Sequence, residues 1–270
     1  MCIRDRLGPT HDRVRRLRRL TNKRSDRWEE GACVLEGPDL IDAALESGVE
    51  VEALYLEQRA LTSAACSASI ARAQEAGVPI FTLPEGTLLK VADTKSPQPL
   101  LATAKMRVSG LPDLPTDRAL LILDNIRDPG NAGTMVRSAD AAGVGGVLFT
   151  GDCVDPFNPK TLRSSAGSVF HVPIVVGLTL GDAVAALRSA GVPSYATVVR
   201  DAKDFRSVNM SAGCAIVIGN ESSGLLAEEI ALCDDAMTIT MAGKAESLNA
   251  GVAASLILFE ALHQRVTTNA

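Results

Sequence analysis

No uninterrupted apolar stretch in the 270 residues approaches the roughly 20 that a membrane-spanning helix needs. The best candidate, residues 252–259, is far too short, so no membrane is expected as a partner. Histidine is scarce, at three residues, and none of the six cysteines (2, 33, 66, 153, 214 and 233) falls into a C-x-x-C pair. The common zinc patterns are thereby excluded and no metal is expected. The thiols read as reduced, small hydrophobic side chains of a cytoplasmic protein. The N-terminus is basic with no apolar core behind it, which is not the layout of a secretory signal. Residues 1–6, MCIRDR, look like translated sequencing adapter, and the true start is expected elsewhere. The chain has no internal repeat and no low-complexity tract.

What is present suits a globular core, with 46% apolar and 22% charged residues. The net charge of −5 is unevenly spread. Residues 1–28 hold ten Lys/Arg against three Asp, while the rest holds 17 Lys/Arg against 29 acidic residues. A basic segment on an acidic body suits a local contact with phosphates, or else is a solvated helix face.

The order of elements gives two regions. Residues 11–28 carry Val14, Leu17 and Leu20 at helical spacing among arginines. Apolar runs at 33–35, 53–56 and 78–83 then alternate with helical stretches at 40–47 and 62–75. Residues 109–117, SGLPDLPTD, have no periodicity and read as a linker. Beyond them, runs at 120–123, 146–149, 172–176, 196–199, 215–218 and 237–240 alternate with helices at 134–142, 181–190, 225–233 and 248–263. Short continuous apolar strands between helices predict an α/β fold, a parallel sheet covered on both faces. The division expected is a basic segment 1–28, a first domain 29–108, a linker 109–118 and a second domain 119–270.

Ligands of such sheets bind beyond the C-terminal strand ends, and three strands end there in unusual loops. After 120–123, Asp124-Asn-Ile-Arg-Asp-Pro-Gly leads to Asn131, placed as a helix N-cap, and Arg137 near the second turn. Arg137 could grip a phosphate or be an ordinary surface charge. After 215–218 comes Gly219-Asn-Glu221-Ser-Ser-Gly224-Leu, neither a P-loop nor G-x-G-x-x-G. Glu221 could equally be a structural acid at a helix start. After 237–240 comes Met241-Ala-Gly-Lys-Ala-Glu-Ser247-Leu248-Asn249, where capping accounts for one polar residue but not both. No Ser-His-Asp set is available, because histidines 11, 171 and 263 lie outside the loops.

Taken in order, N-x-x-x-x-x-R-S-A, G-N-E-x-x-G-L and I-x-M-x-G-x-x-E-S-L-N before a final helix resemble the motifs of the SpoU/TrmH family of RNA methyltransferases, part of the SPOUT superfamily. The segment Asn158-Pro-Lys-Thr-Leu-Arg163-Ser-Ser-Ala-Gly resembles a further family stretch. Leu35-Glu36-Gly37 and Gln98-Pro99 resemble the small, ribosomal-protein-like recognition domain of many members. The resemblance spans about residues 12–265. It departs at Thr240, often proline in the family, and at Ala250-Gly251, often Val-Ser.

The resemblance implies transfer of a methyl group from S-adenosylmethionine to a ribose 2′-hydroxyl, with ribosomal favoured over transfer RNA. It implies a C-terminal trefoil knot and a homodimer. It implicates Gly219, Ile239, Met241 and Leu248 in holding the cofactor. Arg137, Asn131, Glu221, Ser247 and Asn249 are implied as catalytic. Two other readings compete: a nucleotide-dependent oxidoreductase, which lacks its glycine fingerprint, and a catalytically silent RNA-binding protein.

Overall fold

Apolar runs and helices alternate along the chain to build two separate sheets. The computed structural model describes residues 3–268 except 93 and 95; Cys2 lies outside them. By contacts, Met1–Arg107 and Phe157–Phe170 form one unit, and Val108–Pro156 and His171–Ala270 the other.

The first unit contains β1 (Ile3–Arg6), α1 (Asp12–Asn22), α2 (Arg24–Glu30), β2 (Ala32–Glu36), α3 (Pro38–Glu46), β3 (Val51–Glu57), α4 (Ala64–Glu75), β4 (Ile80–Leu83) and β5 (Leu100–Lys105). Its sheet runs β1-β4-β3-β5-β2, with β5 antiparallel to both neighbours and the other pairs parallel. The single basic helix expected over 11–28 is broken at Lys23, whose backbone is extended (φ −117°). Its apolar stripe is real: Val14, Leu17 and Leu20 are buried with Val34, Tyr55 and Leu101. Much of its charge is answered locally. Arg16 pairs with Glu30 at 2.5 Å and Glu52 at 2.7 Å, Arg19 pairs with Glu30 at 2.8 Å, and Arg27 is itself buried.

The second unit begins with β6 (Leu120–Asp124), α5 (Pro129–Ala141) and β7 (Gly146–Thr150). Helix α6 (Pro159–Ser165) follows in sequence but packs on β2 of the first unit. There Arg163 donates to buried Glu36 at 2.8 Å, and Phe157 meets Trp28 edge-on. The expected division keeps this segment inside 119–270; the contacts place it with the first unit. The chain returns through β8 (Ile174–Leu178), α7 (Leu180–Ser189), β9 (Ser194–Thr197), β10 (Lys203–Asp204), β11 (Ala215–Ile218), α8 (Ala227–Leu232), β12 (Asp235–Thr238) and α9 (Ala250–Thr268).

These strands form an all-parallel sheet, β10-β12-β9-β11-β6-β7-β8. Strands β6, β7 and β11 are buried throughout, as a sheet covered on both faces requires. The stretch read as a linker is docked on this unit. Leu114 joins the core with Leu120, Ile122 and Leu148, and the Ser109 N–H donates to the Ile174 carbonyl at 2.8 Å. Strand order reverses between β6, which continues to β7 and β8, and β11, which leads to β9 and β12. Crevices in parallel sheets open at such reversals.

Candidate functional site

The loops after β6, β11 and β12 meet at the C-terminal strand ends. Helix α5 starts earlier than expected, at Pro129, because proline at the first helical position needs no amide partner. Its N-cap is Asp128, whose carboxylate accepts from the Asn131 N–H at 2.8 Å. Asn131 is therefore not the cap. It sits in the first turn, with its side chain free to bridge loops.

That bridge runs through all three. One Glu221 oxygen accepts from the Arg127 N–H at 3.1 Å; the other accepts from the Asp128 N–H at 3.0 Å and from Asn131 Nδ2 at 3.2 Å. Asn131 Oδ1 accepts from Asn249 Nδ2 at 2.9 Å, and Asn249 Oδ1 accepts from the Val252 N–H at 3.2 Å. Asn249 thus caps α9 and ties it to α5 with the same amide. Burial pushes the Glu221 carboxyl up, but the Arg127 and Asp128 amides and the Asn131 side chain outweigh it and leave the group below the ordinary glutamate value. The acid is held ionised as a loop anchor.

The turn at Gly219 has a steric reason. A Cβ there would lie 2.6 Å from the Gly224 carbonyl carbon, so only glycine lets the loop close on itself. Asn220 completes the closure: its Oδ1 accepts from the Ser222 N–H at 3.0 Å and its Nδ2 donates to the Asn125 carbonyl at 2.8 Å. Asn125, in the left-handed region at φ 54°, in turn accepts from the Asp152 N–H at 3.0 Å. Neither asparagine was singled out in the sequence. The one available signal was that asparagine tolerates left-handed backbone and stabilises tight turns.

Beside these loops lies an open cleft of about 200 Å³. Gly219, Glu221, Ile239, Met241, Ser247 and Leu248 line it, together with Thr197, Val199, Ile218 and Ala253. Asn131, Asn249 and Arg137 do not. Arg137 is exposed on α5 and makes no hydrogen bond or ion pair among the described residues, and Ser247 is exposed as well. The structure therefore brings Glu221, Asn131 and Asn249 into one network and Gly219, Ile239, Met241, Ser247 and Leu248 around one cleft. Arg137 joins neither within a single chain. The two departures have local partners. Thr240 donates to Asp204 at 2.6 Å. Gly251, where a Cβ would come within 3.3 Å of the Thr134 methyl, lets α9 start close against α5. Among the described residues no group of metal-ligating side chains and no membrane-length apolar helix occurs.

Comparison with known proteins agrees with this geometry. Residues 118–259 match the SpoU rRNA Methylase family, and residues 11–102 match an MRM3-like substrate binding domain. A 23S rRNA (guanosine(2553)-2′-O)-methyltransferase of Bacillus subtilis is 33% identical over 92% of this chain and 95% of its own. A 23S rRNA (uridine(2479)-2′-O)-methyltransferase of Streptomyces viridochromogenes is 32% identical over 97% of this chain and 93% of its own. The crystal structure of an AdoMet-bound rRNA methyltransferase from Sinorhizobium meliloti superposes with a TM-score of 0.83 at 30% identity, covering 96% of this chain and 97% of that one. By motif order, fold and full-length similarity, the chain belongs to the SpoU rRNA methylase family.

Proposed function

We propose that this protein transfers the methyl group of S-adenosylmethionine to a ribose 2′-hydroxyl of ribosomal RNA, acting as a cytoplasmic homodimer. The observation that carries the reading is the Glu221–Asn131–Asn249 bridge, which locks three loops together beside a cleft at the strand ends. The cleft fits the cofactor's chemistry. Its lining combines Gly219, Ile239 and Leu248 with apolar Ile218 and Met241, suited to a nucleoside with a charged tail. When bound, S-adenosylmethionine supplies an electrophilic methyl group on a sulfonium.

The chain's own part is alignment and help with the hydroxyl proton. Arginine does not give up its proton in proteins, so Arg137 is assigned the target phosphate, which it grips with paired donors. Ser247 faces the ribose from the cleft wall. Glu221 and Asn131 keep the loops in register, and Asn249 fixes the start of α9.

The dimer reading is supported by α9. Val252, Leu256 and Phe259 are each about half exposed on it, at 47%, 45% and 48%. A stripe of that kind is covered by another surface. Because α5 packs on α9, a partner docked there would also come near Arg137, which one chain leaves outside the cleft. The trefoil knot is supported by the packing of α9, reached from β12 through residues 239–249, on α5, which follows β6, while β9 and β11 stand between β12 and β6 in the sheet.

The test is methyl transfer to separated RNA classes followed by mapping of the modified ribose. Label in ribosomal RNA at one 2′-oxygen is expected. Label in transfer RNA alone would overturn the substrate assignment, and none in any RNA would overturn the activity.

A further inference from the structure

The second unit holds nine lysines and arginines, and six of them are answered within the chain. Arg118 pairs with Asp117 at 3.1 Å, Arg127 with Asp152 at 2.6 Å, Arg188 with Asp234 at 2.7 Å and Lys203 with Asp235 at 2.6 Å. Arg206 lies over the Phe205 ring at 4.8 Å, and Arg265 donates to the Gly143 carbonyl at 3.1 Å. The other three are Arg137, Arg200 and Lys244. They are exposed and make no hydrogen bond or ion pair among the described residues. Asp201 and Glu246 stand within two residues of Arg200 and Lys244 in sequence and pair with neither. Arg200 directly follows Val199, which lines the cleft, and Lys244 lies between Met241 and Ser247, which also line it. Strands β9 and β12 are neighbours, so the two loops leave the sheet side by side. The Val198 N–H donates to the Met237 carbonyl at 2.9 Å, Thr238 Oγ1 donates to the Val199 carbonyl at 3.0 Å, and Asp201 turns the chain at φ 57°. The backbone that presents Arg200 is thus held while its side chain is left without a partner.

We infer that Arg200 and Lys244 form a phosphate-binding edge of the catalytic unit, holding backbone phosphates that flank the target nucleotide of the RNA. This rests on the methyltransferase reading above. Arg137 is on the helix after β6, two strand spacings from β9, about 10 Å. The edge therefore lies across the strand ends from the phosphate assigned to Arg137. Charge selects the ligand. S-adenosylmethionine brings an ammonium and a sulfonium against one carboxylate, so two unpaired cations beside it are repelled overall. An RNA strand brings a negative charge at every nucleotide, and such contacts fix its register without reading its sequence. Arginine offers paired donors to a phosphate and lysine a point charge. The two residues escaped sequence reading because single charges in separate loops form no basic run.

Arg200→Ala and Lys244→Ala, singly and together, are compared with Arg118→Ala. The last removes a paired charge ahead of β6, at the opposite end of the sheet. Filter binding of the full-length protein to 23S ribosomal RNA transcribed in vitro, at salt from about 50 to 200 mM, reads the phosphate contacts. Each single variant is expected to bind more weakly and to flatten the slope of log affinity against log salt by about 0.7 to 0.9, and the double variant by about twice that. Arg118→Ala is expected to keep the wild-type slope. Melting temperature and calorimetric binding of S-adenosylhomocysteine are expected to match wild type in every variant. With the same RNA as substrate, KM should rise while kcat stays within about twofold, because a grip equal in ground and transition states contributes to binding alone. An unchanged slope in the double variant overturns the inference. So does equal flattening by Arg118→Ala, which would mark a response to net charge alone. Weakened S-adenosylhomocysteine binding overturns it in favour of a cofactor contact. A fall in kcat at unchanged KM overturns the assignment to phosphates outside the reacting centre. Wild type that binds RNA with the expected slopes but does not bind S-adenosylhomocysteine overturns the methyltransferase reading and supports the phosphate edge.

Discussion

Arg137 separates catalysis from folding at the level of one side chain. Its helix buries Ala132, Met135, Val136 and Ala139, and the arginine leaves that stripe for solvent. Arg137→Ala should therefore change stability by no more than about 0.5 kcal/mol and leave calorimetric cofactor binding intact. Single-turnover methylation at saturating RNA should fall by roughly 100-fold or more, because a misplaced nucleophile loses that much. Arg137→Lys should fail too, since an ammonium lacks the planar paired donors; near-normal rates in both variants would remove Arg137 from the mechanism. Glu221 gives a pH signature. Its native pKa is lowered by its amide donors. Its contribution to stability is thus fully present above the ordinary glutamate range of about 4.3 and is lost as pH falls through the lowered native value. Denaturant unfolding of wild type and Glu221→Gln should differ near neutrality and converge in acid. A gap independent of pH would show that the charge does not anchor the loops.

Among the elements, legibility followed burial. The runs at 120–123 and 215–218 are strands because Leu120, Leu121, Ile122, Val217 and their neighbours are wholly buried on both faces, which leaves a continuous apolar signature. Strand β5, Leu100–Lys105, gave none, because its Leu-Leu-Ala-Thr-Ala-Lys run has no β-branched apolar residue and follows Pro97 and Pro99. The start of α5 was misplaced for a local reason. Both Asp128 and Asn131 can cap, and Pro129 decides for Asp128. The site's residue types were legible in the loops, but the bridge among Glu221, Asn131 and Asn249 joins positions 90 and 118 residues apart, which no local pattern encodes. Helix α9 carries the element-scale prediction. Its outward Leu256 and Phe259 are about half exposed and stand outside the fully buried core of their own chain. Leu256→Asp with Phe259→Asp should leave the fold intact and turn a dimer into a monomer by light scattering at micromolar concentration. A wild-type monomer under the same conditions would refute the interface.

For the whole molecule, the decisive feature is the excursion of Phe157–Phe170 from between β7 and β8 into the first unit. Sequence reading separated the regions at residues 109–118 and implied that removing everything before them would leave a complete catalytic domain. The packing argues otherwise. Phe157 is fully buried with Trp28 at its edge, Leu162 is fully buried, and a Cβ at Gly167 would lie 2.5 Å from the Ala43 side chain. Arg163 would lose the Glu36 carboxylate. Deleting residues 1–107 alone therefore uncovers at least two large apolar side chains, each worth about 1.5–3 kcal/mol of burial, and leaves a patch prone to association. That variant should aggregate or melt well below the full chain. A second variant, in which a short Gly/Ser link also replaces 157–170, should stay soluble, because it removes the stranded surface. It should still bind S-adenosylhomocysteine in calorimetry, since every residue lining the cleft lies between Thr197 and Ala253. It should also bind RNA more weakly and with a flatter salt dependence, having lost the basic first unit. Thermal unfolding and light scattering of the two variants side by side decide the matter. Equal behaviour would mean that Phe157–Phe170 does not depend on the first unit for its cover.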